Sequence, residues 1–165
     1  MHLWSRAAVT MALICAVSGC GVYTVSGGMP QHIRTVGVDL FENRTIDTGV
    51  DDWMSRALSD KLIARPQVRY GSARIADAVI RGAVRQVIEE PLEYSGEQVT
   101  SYQVLLIVDA EVFDRVRRRT LWSGEGLRGR GSYEATGGIA ARDRAFEAAV
   151  GDAAQQIIDG MISGW

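Results

Sequence analysis

Thiols are nearly absent from this chain of 165 residues: Cys15 and Cys20 are the only cysteines, and both lie close to the start. No disulfide framework can therefore tie the body of the chain together. Histidine is equally scarce, with His2 and His32 alone, so a zinc centre or a Cys/His nucleophile pair finds no set of ligands. Lysine is reduced to Lys61, which leaves the cationic charge to arginine. A charge excess is missing too: Lys+Arg 18 against Asp+Glu 20 gives a net charge of -2, which excludes general nucleic-acid binding as a default. Apolar runs stop short of the roughly 18 to 20 residues that a spanning helix needs. What is present is ordinary globular composition, 47% hydrophobic and 23% charged, sufficient for one domain plus a leader.

The leader is well marked. Arg6 precedes Ala7 to Val17, eleven residues that are apolar apart from Thr10, and small Ser18 and Gly19 follow. Residues 1–19 thus have the layout of a signal peptide. Val17-Ser18-Gly19-Cys20 resembles a bacterial lipobox, in which an apolar residue and two small ones precede a cysteine that is acylated before cleavage. The resemblance implies a mature chain of 146 residues beginning at lipid-bearing Cys20; an ordinary signal peptide with an incidental cysteine is the alternative. At about 0.8 kcal/mol per buried CH₂, two or more acyl chains hold a protein durably on a membrane without crossing it. Gly21 stands where, by analogy with lipoprotein sorting, an aspartate would retain the protein at the inner membrane; its absence leans toward the periplasmic face of the outer membrane. Residues 20–30, with Ser26-Gly27-Gly28 and Pro30, read as a tether, and residues 31–165 as the folded domain.

Within that domain, Thr35 to Phe41 alternates as a strand should. Val50, Trp53, Met54, Ala57, Leu58 and Leu62 then place one apolar stripe on a helix, with Thr48 as N-cap, Asp51 and Asp52 in the first turn, and Arg65-Pro66 as the stop. Ala78 to Glu90 is a second strand, with Ile80, Val84 and Ile88 on one face and Val79, Ala83 and Val87 on the other; residues 91–97 connect it onward. The third strand, Val99 to Phe113, carries Val104, Leu106, Val108, Ala110 and Val112 toward the core, with Leu105 and Ile107 on the opposite face. Asp114 to Thr120 is a hairpin tip, and Leu121 to Tyr133 returns with Gly124, Gly126, Gly129 and Gly131 as signs of a bulge or strong curvature. Ile139 to Ile162 is a long helix. The order predicts an α+β fold: a two-layer sandwich of a four-stranded, mainly antiparallel sheet with two helices packed on one face.

Cys20-Gly21, an early strand, Phe41-Glu42-Asn43-Arg44-Thr45 before a helix, the Tyr102-Gln103 strand, Leu121-Trp122 and a terminal Gly164-Trp165 together resemble the LptE family of lipopolysaccharide-assembly lipoproteins. The resemblance covers essentially the whole mature chain. It implies an outer-membrane lipoprotein that plugs the lumen of the LptD β-barrel, aids that barrel's assembly and contacts lipopolysaccharide in transit. It implies neither catalytic activity nor a cofactor. One departure stands out: a short Thr-Gly type of turn is usual at the third hairpin tip, where this chain has Arg115-Val116-Arg117-Arg118-Arg119-Thr120.

A lipopolysaccharide-binding role for Arg115, Arg117, Arg118, Arg119, Arg128 and Arg130 therefore follows from charge, because guanidinium forks suit phosphate. A solubilising, solvated turn is the other reading. Leu105 and Ile107, flanked by Val79, Ala83 and Val87, form a candidate surface for the barrel wall, unless residues 66–77 fold over them. Glu42-Asn43-Arg44 and Glu89-Glu90 read as structural turn chemistry, His32 as solvated, and Trp53 as core. Two competing functions remain: another periplasmic interaction lipoprotein acting in envelope maintenance or secretion without lipopolysaccharide, and a small periplasmic hydrolase, for which no G-x-S-x-G or paired-histidine motif exists.

Overall fold

A computed structural model describes residues 30–163; residues 1–29, with Cys20 and the expected signal peptide and most of the expected tether, and Gly164-Trp165 lie outside the described residues. The chain runs β1 (Thr35–Val38), β2 (Glu42–Asn43), α1 (Val50–Ile63), β3 (Arg69–Tyr70), β4 (Ala78–Ser95), β5 (Gln98–Asp114), β6 (Arg119–Glu134), a 3₁₀ turn (Ala135–Gly137) and α2 (Gly138–Ser163).

The sheet corrects the four-strand expectation. It has six strands in the order β3-β1-β4-β5-β6, with β2 also beside β4, and it is mixed. β4, β5 and β6 form the expected antiparallel meander, whereas β1 pairs in parallel with both β3 and β4, and β2 in parallel with β4. The parallel pairing of β1 with β3 follows from the helix between them, since a crossover of that length returns the chain in its original direction.

Both helices share one core with the sheet. Val50, Met54, Leu58 and Leu62 of α1 and Ala149, Ala153, Ile157, Ile158 and Met161 of α2 are buried against Ile80, Val84, Val104, Leu106, Val108 and Val112. Each large aliphatic side chain so buried contributes about 1.5–3 kcal/mol. Trp53 is a correction: it stays 37% exposed and meets Phe146 of α2 edge-on, with ring centroids 5.1 Å apart, so it closes the seam between the helices. Thr48 does not cap α1. Gly49 takes the N-cap position at φ 84 without a side-chain hydrogen bond.

Two further details move side chains from their expected places. β4 does not end at Glu90 but continues through Pro91 to Ser95. Beyond Val84 only β5 pairs with it, so the missing N–H of Pro91 faces an open edge where proline is tolerated. A bulge at Arg85, between the Val84 and Gln86 pairs, inverts the faces downstream: Val87 turns into the core opposite Leu106, and Ile88 turns out opposite Leu105.

The glycines of β6 separate into two uses. Gly126, at φ 63, sits in a bulge opposite Asp109. A Cβ on Gly129 or Gly131 would instead run into the backbone carbonyls of Ala149 and Ala145, so these two bare positions let α2 lie directly on the strand.

Candidate functional site

The face of the sheet turned away from the helices carries no covering element among the described residues. Register places its side chains in rows across β4, β5 and β6: Glu90, Gln103 and Ser132; Ile88, Leu105 and Arg130; Gln86, Ile107 and Arg128. Leu105, Ile107 and Ile88 are half-buried by their row neighbours, while Arg128 and Arg130 are exposed. The result is a short apolar strip with two guanidinium groups along its β6 side.

Nearer the hairpin the same face changes character. Arg81 donates to Glu111 at 2.7 Å and lies over the Phe113 ring at 4.4 Å; Arg85 reaches Asp109 at 3.2 Å. Burial pushes the Glu111 carboxyl up, but the Thr120 hydroxyl and Arg81 together hold it below its ordinary value. Val79 and Ala83 are buried beside these ion pairs, so they do not extend the apolar strip, and Val87 has left the face altogether. Ile88, expected on the face of Ile80 and Val84, takes its place. Nothing in the spacing marks the bulge that exchanges them.

Residues 66–77 do not cover the strip. Gly71 donates to the Val36 carbonyl, a Cβ on Gly37 would meet Ala73 Cα at 2.7 Å, and Arg115 bonds both the Asp77 and the Ala73 carbonyls. The segment is thereby fixed between β1 and the hairpin tip.

The six arginines do not converge. Arg128 stands opposite Ile107, seven residues along β5 from Asp114 at the tip, or roughly 23 Å at 3.3 Å per residue. Arg115, Arg117, Arg118 and Arg119 are all exposed, and Arg115 alone of these has its guanidinium on the Ala73 carbonyl. Arg118 takes φ 55, which completes the tight turn. Asp114 beneath it is fully buried; it accepts the Arg117 amide at 2.9 Å and lies 2.7 Å from His32 Nε2. His32 is thus a structural partner, not a solvated side chain.

The edge of the sheet at β6 is closed in its middle. Asp152 accepts the Arg130 amide at 3.0 Å and Gln156 donates to the Arg128 carbonyl at 2.8 Å, groups that an added strand would need. A partner at this place must meet the face.

The carboxylates that could suggest catalysis are engaged structurally. Asn43 accepts the Thr45 amide at 2.9 Å and donates to the Asp47 carbonyl at 2.7 Å, while Glu42 pairs with Arg44 at 2.7 Å. Glu89 is bound by Tyr133 and Arg142. Burial raises the Glu89 carboxyl, yet those two partners hold it below its ordinary value. Among the described residues, no three His, Cys, Asp or Glu side chains converge as metal ligands. Nor is any helix among them long and apolar enough to cross a membrane.

Several solved structures share this architecture. A protein from Xanthomonas campestris, XCC0632, aligns with a TM-score of 0.55 at 12% identity over 83% of this chain and 91% of its own. A minor lipoprotein from Acinetobacter baumannii aligns at 0.53, with 17% identity over 79% and 94%. The PelC dodecamer from Paraburkholderia phytofirmans aligns at 0.52, with 17% identity over 83% and 91%. At such identities the likeness is one of fold. No curated protein matches the sequence. The family described as LptE, lipopolysaccharide-assembly, matches residues 33–162, nearly the whole of the folded domain, and the chain belongs to that family.

Proposed function

We propose that the protein is an outer-membrane lipoprotein, held at the periplasmic face by acylated Cys20 after removal of residues 1–19. In this reading its open sheet face plugs and helps assemble an LptD-type β-barrel and takes part in carrying lipopolysaccharide to the outer leaflet. It works by binding, without turnover or cofactor.

The observation that carries this reading is the strip of Ile88, Leu105 and Ile107 on the uncovered face, bordered by Arg128 and Arg130. Half-buried aliphatic groups gain about 25 cal/mol per Å² of apolar area when a partner covers the remainder. The two arginines supply charge-assisted contacts to phosphorylated sugars passing the same surface. Because Asp152 and Gln156 close the middle of the β6 edge, docking there engages side chains and not an added strand.

Leu105→Asp tests the reading. The variant is expected to keep its far-UV circular dichroism and to lose co-purification with the barrel from detergent-solubilised membranes. Retained co-purification would refute the assignment, and loss of fold would show that Leu105 belongs to the core.

A further inference from the structure

We propose that the β5–β6 hairpin tip is a second membrane contact, a docking surface for anionic phospholipid headgroups in the leaflet that holds the lipid anchor. Arg74, Arg117, Arg118 and Arg119 are exposed at this end, and none has a carboxylate within ion-pair distance among the described residues. Exposed apolar side chains stand among them, Val116 at 58% and Ile75 at 83%. The bond from Arg115 to the Ala73 carbonyl holds the loop of Arg74 and Ile75 against the tip.

The local acids are turned inward. Asp77 accepts the backbone amides of Arg34 and Thr35, both at 2.9 Å, and Asp114 is buried on His32 and the Arg117 amide. The end therefore presents positive charge and apolar side chains together, the pair of features that suits a headgroup layer.

Chain length decides which way this end faces. The His32–Asp114 contact fixes the entry of the domain at the tip. Pro30 is ten positions beyond Cys20, a reach of at most roughly 36 Å at full extension. β5 alone has 17 residues, roughly 55 Å at 3.3 Å each, so the β4–β5 turn at the opposite end lies beyond that reach. In the absence of the barrel, a membrane that holds Cys20 is thus within range of the arginine tip and out of range of Tyr94 when the sheet stands upright on it. This orientation rests on the proposed acylation of Cys20, whereas the charge and apolar exposure of the tip do not.

The test places a fluorophore on Val116→Cys or, as control, Tyr94→Cys in the mature lipidated protein, reconstituted in vesicles containing nitroxide-headgroup lipid. Vesicles of phosphatidylethanolamine with phosphatidylglycerol should quench the Val116 label and spare the Tyr94 label. Quenching should fall in phosphatidylcholine vesicles, and on raising salt from about 0.1 M to about 1 M, which shortens screening from roughly 10 Å to roughly 3 Å. The triple variant R117S/R118N/R119S, with asparagine at the left-handed position, should remove it as well. Equal quenching at both positions, or no dependence on phosphatidylglycerol, would overturn the proposal. So would quenching that needs lipopolysaccharide in the vesicles.

Mass spectrometry of the same preparation separates the two readings. If Cys20 carries no acyl chain, the lipoprotein reading fails, and co-sedimentation of the unacylated protein with phosphatidylglycerol vesicles tests the tip alone. There the triple variant should bind on the order of 100-fold more weakly, at about fivefold per arginine. Undiminished binding would overturn the proposal.

Discussion

Asp152 of α2 accepts the backbone amide of Arg130 at 3.0 Å, and one turn later Gln156 serves the carbonyl of Arg128. The match is metric: four helical residues rise about 6 Å, close to the roughly 6.6 Å spanned by two strand residues. Asp152→Ala leaves the Arg130 amide open on an edge strand. Stability should fall by about 1 kcal/mol, and sedimentation velocity should show self-association that the parent protein lacks.

The same spacing puts Ala145 over Gly131 and Ala149 over Gly129. Gly131→Ala should destabilise by about 1–3 kcal/mol in urea unfolding, because its Cβ meets helix backbone and not a movable side chain. Gly151, in α2, has no heavy atom within 4 Å of an added Cβ. Gly151→Ala should therefore stabilise by about 0.5–1 kcal/mol.

His32→Ala deprives buried Asp114 of a partner and should reduce stability by about 1–3 kcal/mol. Burial pushes the Asp114 carboxyl up, but the Arg117 amide and His32 together hold it below its ordinary value of 3.8. The folded state then binds this proton less readily than the unfolded state. Its contribution is fully present above that ordinary value, which the unfolded state keeps, and is lost as pH falls through the lower folded value. Asp114→Asn should flatten that acid limb in equilibrium unfolding measured across pH.

Tyr133 gives a spectroscopic signature. Its hydrogen bond to Glu89, its partial burial and the carboxylate's charge raise the phenol to about 12. In an ultraviolet titration, Glu89→Gln should return this group toward the ordinary 10.0.

The long elements were legible because their patterns are local. Val104 to Val112 alternate without a break, and Val50, Met54, Leu58 and Leu62 follow helical spacing; all are buried. β3 has no such pattern, because Arg69 and Tyr70 are both exposed and leave no apolar imprint. The Arg85 bulge preserves alternation while inverting it, so Val87 and Ile88 exchange faces with no mark in the spacing. Bare positions read alike whether the backbone bends or a helix presses on it, which hid the different roles of Gly126 and Gly131. His32 and Asp114 lie 82 positions apart, and such a pairing has no local sequence signal. For the candidate site, Leu105 and Ile107 were legible from alternation, whereas their row partners Arg130 and Arg128 emerged only from the register.

In the proposed docking the uncovered sheet face meets the barrel. A photocrosslinking amino acid at Ile107, compared with one at Ile63 on the helix side, measures this directly in living cells. The Ile107 position should capture the large outer-membrane barrel and the Ile63 position should not. Capture of the barrel from Ile63 with none from Ile107 would contradict this docking.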